Sequence, residues 1–261
     1  MKELIKRAFF GLLYALSVIL ALQNYTWTAI LLGIFLFIAL KELSALVNFN
    51  FKTFLLPAVF VYLTGFLFSS PVHIDIQVIK VAVAFTLLTL FIPMIYFIFD
   101  KLSLQMLANG YLGIVYLAIP FTLALNLDLH FLLGIFLIIW ASDSFAYLTG
   151  KNFGKHKLAE KISPKKTIEG VIGGWIGSLL VGYIIFRYTN WYEMLNLSQF
   201  LILTTIIVIF GTLGDLLESR FKRLAQVKDS GQVIPGHGGI LDRLDSFILA
   251  VPFVYIYLSI I

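Results

Sequence analysis

Between Asp215 and Asp245 an otherwise apolar chain gathers five carboxylates (Asp215, Glu218, Asp229, Asp242, Asp245), five cations (Arg220, Lys222, Arg223, Lys228, Arg243) and His237. Carboxylate oxygens without thiolates suit a hard cation such as Mg²⁺. Fixed cations beside them make little sense for a metal alone. They suit a polyphosphate carried with its metal, where both stabilise charge on a departing pyrophosphate. The run Pro235-Gly236-His237-Gly238-Gly239 then opens an apolar segment. Glycines let a backbone approach a bulky anion, and a helix start supplies free N–H donors.

Spacing supports the same chemistry. In a continuing helix Asp215, Glu218, Ser219 and Lys222 fall at i, i+3, i+4 and i+7, on one face. Asp242 and Asp245 are at i, i+3 in the next apolar segment, with Arg243 turned elsewhere. Upstream, Ser142-Asp143 sets another carboxylate near the end of an apolar run, where an unpaired charge is costly and needs a cation. Asp143, Asp215 and Asp242 are the candidate metal ligands. Two basic stretches follow Asp143: Gly150-Lys151-Asn152-Phe153-Gly154-Lys155-His156-Lys157, and Ser163-Pro164-Lys165-Lys166-Thr167-Ile168-Glu169-Gly170. Ser163 or Thr167 can cap the helix that starts there, leaving backbone N–H groups and two lysines to face an anion.

The elements that must position these residues are membrane helices. The chain has 261 residues, 60% hydrophobic and 13% charged, with mean hydropathy +0.96. Soluble domains are about 45–50% apolar and about 25% charged. Nine apolar segments, 8–23, 25–41, 51–69, 77–99, 105–126, 130–149, 168–187, 198–216 and 241–261, predict an all-α polytopic protein of about nine spans. The first is read as a retained helix, since no small-residue cleavage site follows it. Cysteine is absent, which excludes disulfides and thiolate metal sites.

With the N-terminus in the cytoplasm, every Lys and Arg except Lys80 and Arg187 falls on the cytoplasmic side, as the positive-inside rule favours. Loops 150–167 and 217–240 then face the cytoplasm, around a polar cavity among the C-terminal helices. Residues 1–129 are expected to form a transmembrane scaffold and 130–261 the catalytic region, with polar chemistry confined to the second half. Pro57, Pro93 and Pro120 lie within spans and predict kinks. Gly170/Gly174 and Gly173/Gly177 make small-xxx-small pairs that predict close helix packing. A nucleotide comes from the cytoplasm, while the site opens among lipid-facing helices. A lipid phosphate is therefore the natural second substrate.

Ser219-Arg220-Phe221-Lys222-Arg223, Lys228-Asp229 and Pro235-Gly236-His237-Gly238-Gly239-Ile240-Leu241-Asp242-Arg243-Leu244-Asp245 together resemble the signature of the phosphatidate cytidylyltransferases, the CDP-diacylglycerol synthases. Ser142-Asp143, the Ser163–Gly170 stretch and Gly214-Asp215 are also similar to that family, whereas the first 130 residues match only in being polytopic. The resemblance implies that CTP and phosphatidate react, with Mg²⁺, to give CDP-diacylglycerol and pyrophosphate. It also implies a monovalent cation such as K⁺ and a homodimer, while the distribution of basic residues sets the active site of this cell-membrane protein toward the cytoplasm. Nucleic acid has no place in it.

On this reading Asp215 and Asp242 are the best metal ligands, with Asp143 or Asp245 completing the set. Lys222, Lys228 and Arg243 handle phosphates, assisted by Lys165 and Lys166. His237 donates to a phosphate oxygen or stabilises the glycine turn. Ser163, Thr167, Ser219, Arg220, Arg223, Asp229, Gly238 and Gly239 fall in the motif stretches expected to touch substrate. Two other classes fit parts of the pattern. An ion-coupled transporter accounts for the intramembrane carboxylates but not the phosphate-type loops. A CTP-dependent lipid kinase would transfer the terminal phosphate and release CDP.

Overall fold

A computed structural model describes residues 2–71, 74–189, 191, 194–236 and 238–261, with the side chains of residues 2–8 set aside. Helices α1 (Lys2–Ala21), α2 (Tyr25–Val47), α3 (Phe51–Ser69) and α4 (Ile76–Ile98) come first. A broken span follows, built from α5 (Leu104–Gly113), a π turn (Ile114–Ala118) and α6 (Ile119–Leu125). Next come α7 (Leu129–Phe153), the hairpin β1 (Lys157–Ala159) and β2 (Ser163–Thr167), α8 (Ile168–Tyr188), α9 (Leu197–Leu224) and α10 (Leu241–Ile260). Among the described residues eight helical segments are long and apolar enough to cross a membrane, and α1 adds a shorter apolar stretch, Phe9–Ala21. This all-α, multi-pass architecture agrees with the expectation of about nine spans. Helices suit a bilayer because every backbone group is satisfied within the segment.

The chain divides into two compact units. One comprises Met1–Leu129 with Leu224–Arg243, the other His130–Arg223 with Leu244–Ile261. In the first, Leu40, Leu43, Phe54, Leu117 and Phe121 are fully buried. Asn24, Asn50, Asp75 and Ser103 cap α2 to α5 by accepting from backbone N–H groups of the first turn. Pro120 has no N–H to continue an α pattern. The helix widens just before it, and Ile119 N–H donates to Ile114 O, five residues back. Only 11% of the apolar window of α4 is buried, which suits a lipid-facing helix.

The second unit is organised by close approach between helices. A Cβ on Gly173 would overlap Thr149, and one on Gly177 would overlap Phe145, so the glycine-rich face of α8 lies directly on α7. Likewise a Cβ on Gly214 of α9 would meet the Asp245 carbonyl of α10. Phe136 stacks on Phe247 with ring centroids 4.6 Å apart, tying α7 to α10. These contacts fix the ends of α7, α8 and α9 that carry charge.

Both polar stretches expected as loops are partly regular. The helix α7 continues to Phe153, and most of the remaining basic run folds as the β1–β2 hairpin. Glu169 holds it, accepting from the backbone N–H groups of Lys155 and His156 and pairing with His156 Nδ1 at 2.6 Å. Continuing through Leu224, α9 puts Asp215, Glu218, Ser219 and Lys222 on the one face their spacing predicts.

Candidate active site

In the second unit a cavity of about 520 Å³ opens among the ends of α7, α8 and α9 and the hairpin. Four lysines line it, Lys151 from α7, Lys157 from β1 and Lys165 and Lys166 from β2, with Asp143 of α7 and Asp215 of α9. Each is placed by local structure. Thr167 caps α8 by accepting from Gly170 N–H at 3.1 Å, which ends β2 and sets Lys165 and Lys166 just before the helix start. Lys166 Nζ lies 2.5 Å from Asp215 Oδ2, and Ser219 Oγ donates to Asp215 Oδ1 at 3.2 Å. Asp215 is therefore held from two sides while remaining part-exposed to the cavity. Ser142, Thr212 and the small Gly150 and Gly170 share the rest of the wall with Ala146, Tyr147 and Val171.

Deeper along α9, Glu218 is fully buried and ion-paired with Lys222 one turn on, whose side chain is only 12% exposed. Asp245 accepts from Ser246 N–H at 2.7 Å and lies within electrostatic reach of Asp215, Glu218 and Asp143. Carboxylates thus converge from α7, α9 and α10, with Lys166 and Lys222 balancing them. Among the described residues no group of three or more His, Asp or Glu side chains is arranged to hold a metal by itself. Arg223 Nε donates to Ile162 O, bracing the hairpin, while Arg220 and Ser163 take part-exposed or exposed positions.

In the first unit the segment from Lys228 to Arg243 forms its own tight structure. Asp242 Oδ2 accepts from Ser230 N–H at 2.8 Å, Ser230 Oγ at 2.9 Å and Gly239 N–H at 2.8 Å. Gly236 and Gly238 have φ of 81° and 86°, backbone that favours glycine. Ile234 N–H donates to Gly238 O across the turn. Lys228, Asp229 and Arg243 are exposed, and His237 lies outside the described residues.

Three participants are absent from the sequence-based set. Glu42 of α2 is buried and accepts hydrogen bonds from this segment, so polar chemistry is not confined to the second half. Its signal was a lone carboxylate at the end of an apolar run, beside Lys41. Lys151 reaches the cavity from the last turn of α7, and Lys157 through a hairpin whose pairing a basic run does not reveal.

The fold and the cavity define a class: a multi-pass helical membrane protein with a lysine- and aspartate-lined chamber suited to phosphates. Residues 5–261 match the model of the Cytidylyltransferase family, and the chain belongs to that family. It is 38% identical over 250 residues to a phosphatidate cytidylyltransferase of Staphylococcus haemolyticus, covering 94% of this chain and 95% of the relative. A phosphatidate cytidylyltransferase of Haemophilus influenzae is 51% identical over 129 residues, 48% of this chain and 44% of the relative. One of Staphylococcus aureus strain COL is 51% identical over 132 residues, 50% and 49% of the two chains. The protein is a nucleotidyltransferase.

Proposed function

We propose that the chain transfers the cytidylyl group of CTP to phosphatidate. A lipid phosphate oxygen bonds to the α-phosphorus of CTP, the bond from that phosphorus to the bridging β-phosphate oxygen breaks, and pyrophosphate leaves. The observation that supports this most directly is the cavity in which Lys151, Lys157, Lys165 and Lys166 face Asp143 and Asp215. A phosphate monoester has its second ionisation near about 6, so the lipid phosphate attacks without a strong general base. The barrier is repulsion between two polyanions. Fixed ammonium groups counter it, as they are already oriented when charge develops.

Asp143 and Asp215 fit a hard divalent cation, since Mg²⁺ is typically held by one or two carboxylates together with substrate phosphates. When bound, Mg²⁺ would supply charge neutralisation on the pyrophosphate leaving group. Lys166 and Ser219 hold Asp215 in place. Lys165 and Lys166 sit beside the N-terminus of α8, where an anion also meets the helix dipole. Lys228 and Arg243 are exposed cations flanking the glycine turn, placed to meet a phosphate there. The monovalent cation and the homodimer belong to the same proposal. They are tested by comparing activity in K⁺ with that in a large organic cation, and by the mass of the protein in detergent.

Purified protein in detergent with labelled CTP, phosphatidate and Mg²⁺ is expected to yield CDP-diacylglycerol and pyrophosphate in equal amounts. Release of CDP with a phosphorylated lipid product would replace this reading with the kinase. Uptake by sealed vesicles without turnover would favour the transporter.

We also propose that the site faces the cytoplasm from the cell membrane, because all Lys and Arg but Lys80 and Arg187 then lie on one side. Lys155→Cys and Gln232→Cys, each the single thiol in a Cys-free chain, are expected to react with an impermeant maleimide only when the cytoplasmic face is open. Labelling of the two positions from opposite faces would defeat this orientation.

A further inference from the structure

Glu42 sits in α2 near its C-terminal end and is 7% exposed. Burying a carboxylate is costly unless donors compensate it. Here three donors come from a segment nearly two hundred residues later in the chain. Ile240 N–H donates to Oε1 at 3.1 Å, Leu241 N–H to Oε2 at 2.8 Å, and Ser230 Oγ lies 3.0 Å from Oε2. Leu241 is the first residue of α10, so Glu42 caps that helix from another helix, a service usually given by the chain's own N-cap residue. The residue in that place, Ile240, has no side-chain acceptor.

The fit is close on every side. A Cβ on Gly239 would overlap the Glu42 carboxylate, and so would one on Gly231. Ser230 Oγ stands between Glu42 Oε2 and Asp242 Oδ2, so one hydroxyl proton is shared by two carboxylates. Together Glu42 and Asp242 tie down residues 230 and 239–241, both ends of the turn that contains Gly236 and Gly238.

We infer that Glu42 is a positioning residue: it fixes the backbone at both ends of the turn, at Ser230 and at Gly239–Leu241, so that the flanking exposed cations Lys228 and Arg243 are presented to phosphate in one geometry. It touches no substrate itself. Its kinetic effect rests on the proposed transfer reaction, whereas its effect on the turn does not.

The test uses the full-length protein in detergent, with a nitroxide on Val233→Cys, an exposed position of the turn in a chain with no other cysteine. Glu42→Gln replaces an acceptor oxygen by an NH₂ that faces backbone donors. Label mobility is expected to rise, and kcat to fall about 10- to 100-fold, the scale on which small misplacements act. Glu42→Asp keeps the charge and is expected to recover part of both. Ser230→Ala removes one donor and is expected to loosen the label less.

Wild-type label mobility with kcat within twofold in Glu42→Gln would overturn the inference. So would a kcat loss that matches the unfolded fraction while the folded fraction keeps a wild-type label signal. If Glu42→Gln fails to fold, Glu42→Asp and Ser230→Ala decide: loosening in either supports positioning, and loosening in neither overturns it. A parent protein that makes no CDP-diacylglycerol would end the proposed reaction and leave the label measurement to judge Glu42.

Discussion

Asp215→Asn is expected to lower kcat by at least about 10²-fold, more than the loss common for groups that only support a metal ligand. The substitution keeps Oδ1 for Ser219 and the side-chain volume, but removes the charge that faces both the cavity and Lys166. Folding should change little. The Lys166–Asp215 pair is about one quarter exposed on each side, and pairs open to solvent contribute typically under ~1 kcal/mol. Removing one carboxylate also relieves repulsion with Asp245.

Asp242→Asn makes the contrast, because Asp242, read from the sequence as a metal ligand, has its Oδ2 taken up by Ser230 and Gly239. Its Oδ2 accepts three hydrogen bonds that close the glycine turn, so this variant is expected to lose thermal stability along with rate. The two are separated by titrating Mg²⁺ at saturating CTP and phosphatidate. Asp215→Asn should need far more Mg²⁺ for half its residual rate, and Asp242→Asn should need about the wild-type amount. Near-normal turnover of Asp215→Asn at ordinary Mg²⁺ would remove Asp215 from the mechanism.

What the sequence disclosed and what it concealed follow from how each feature is encoded. Spans are written locally as long apolar runs, and the face of Asp215, Glu218, Ser219 and Lys222 follows from helical spacing alone. The α7–α8 seam was legible in Gly170, Gly173, Gly174 and Gly177, because small residues at helical spacing have few other uses in a membrane. Two kinds of feature were not. The β1–β2 hairpin has no alternating pattern, and Glu169, rather than strand propensity, anchors it, so Lys157 reads only as part of a basic run, as does Lys151 at the end of α7. Glu42 acts on a turn far along the chain, and no local pattern carries a contact between residues 42 and 240. A single carboxylate beside Lys41 at the end of an apolar helix was the one clue. Lys222 illustrates a third case. Its position was clear, but burial beside Glu218 gives it a structural duty that spacing alone does not express.

That duty sets the second large effect. Lys222→Met is expected to destabilise the folded protein by about 3–5 kcal/mol, because it leaves the fully buried Glu218 charge without the ammonium beside it. A residue that only handled phosphate would behave differently: its loss would cut rate and leave stability intact. Glu218→Gln together with Lys222→Met removes both charges and should regain most of the stability, since replacing a whole buried pair is often neutral. The kinetics of that double variant then isolate the phosphate role. If Lys222 also serves CTP or phosphatidate, the refolded double variant should still show kcat/KM reduced by roughly 10²-fold, the value of a well-placed electrostatic group. If it serves only Glu218, the double variant should turn over near the wild-type rate. Thermal melts in detergent and kcat/KM for both substrates, across the two single variants and the double, decide the matter. A Lys222→Met protein that melts with the wild type would show that the Glu218 charge does not depend on Lys222, and the structural reading would fall.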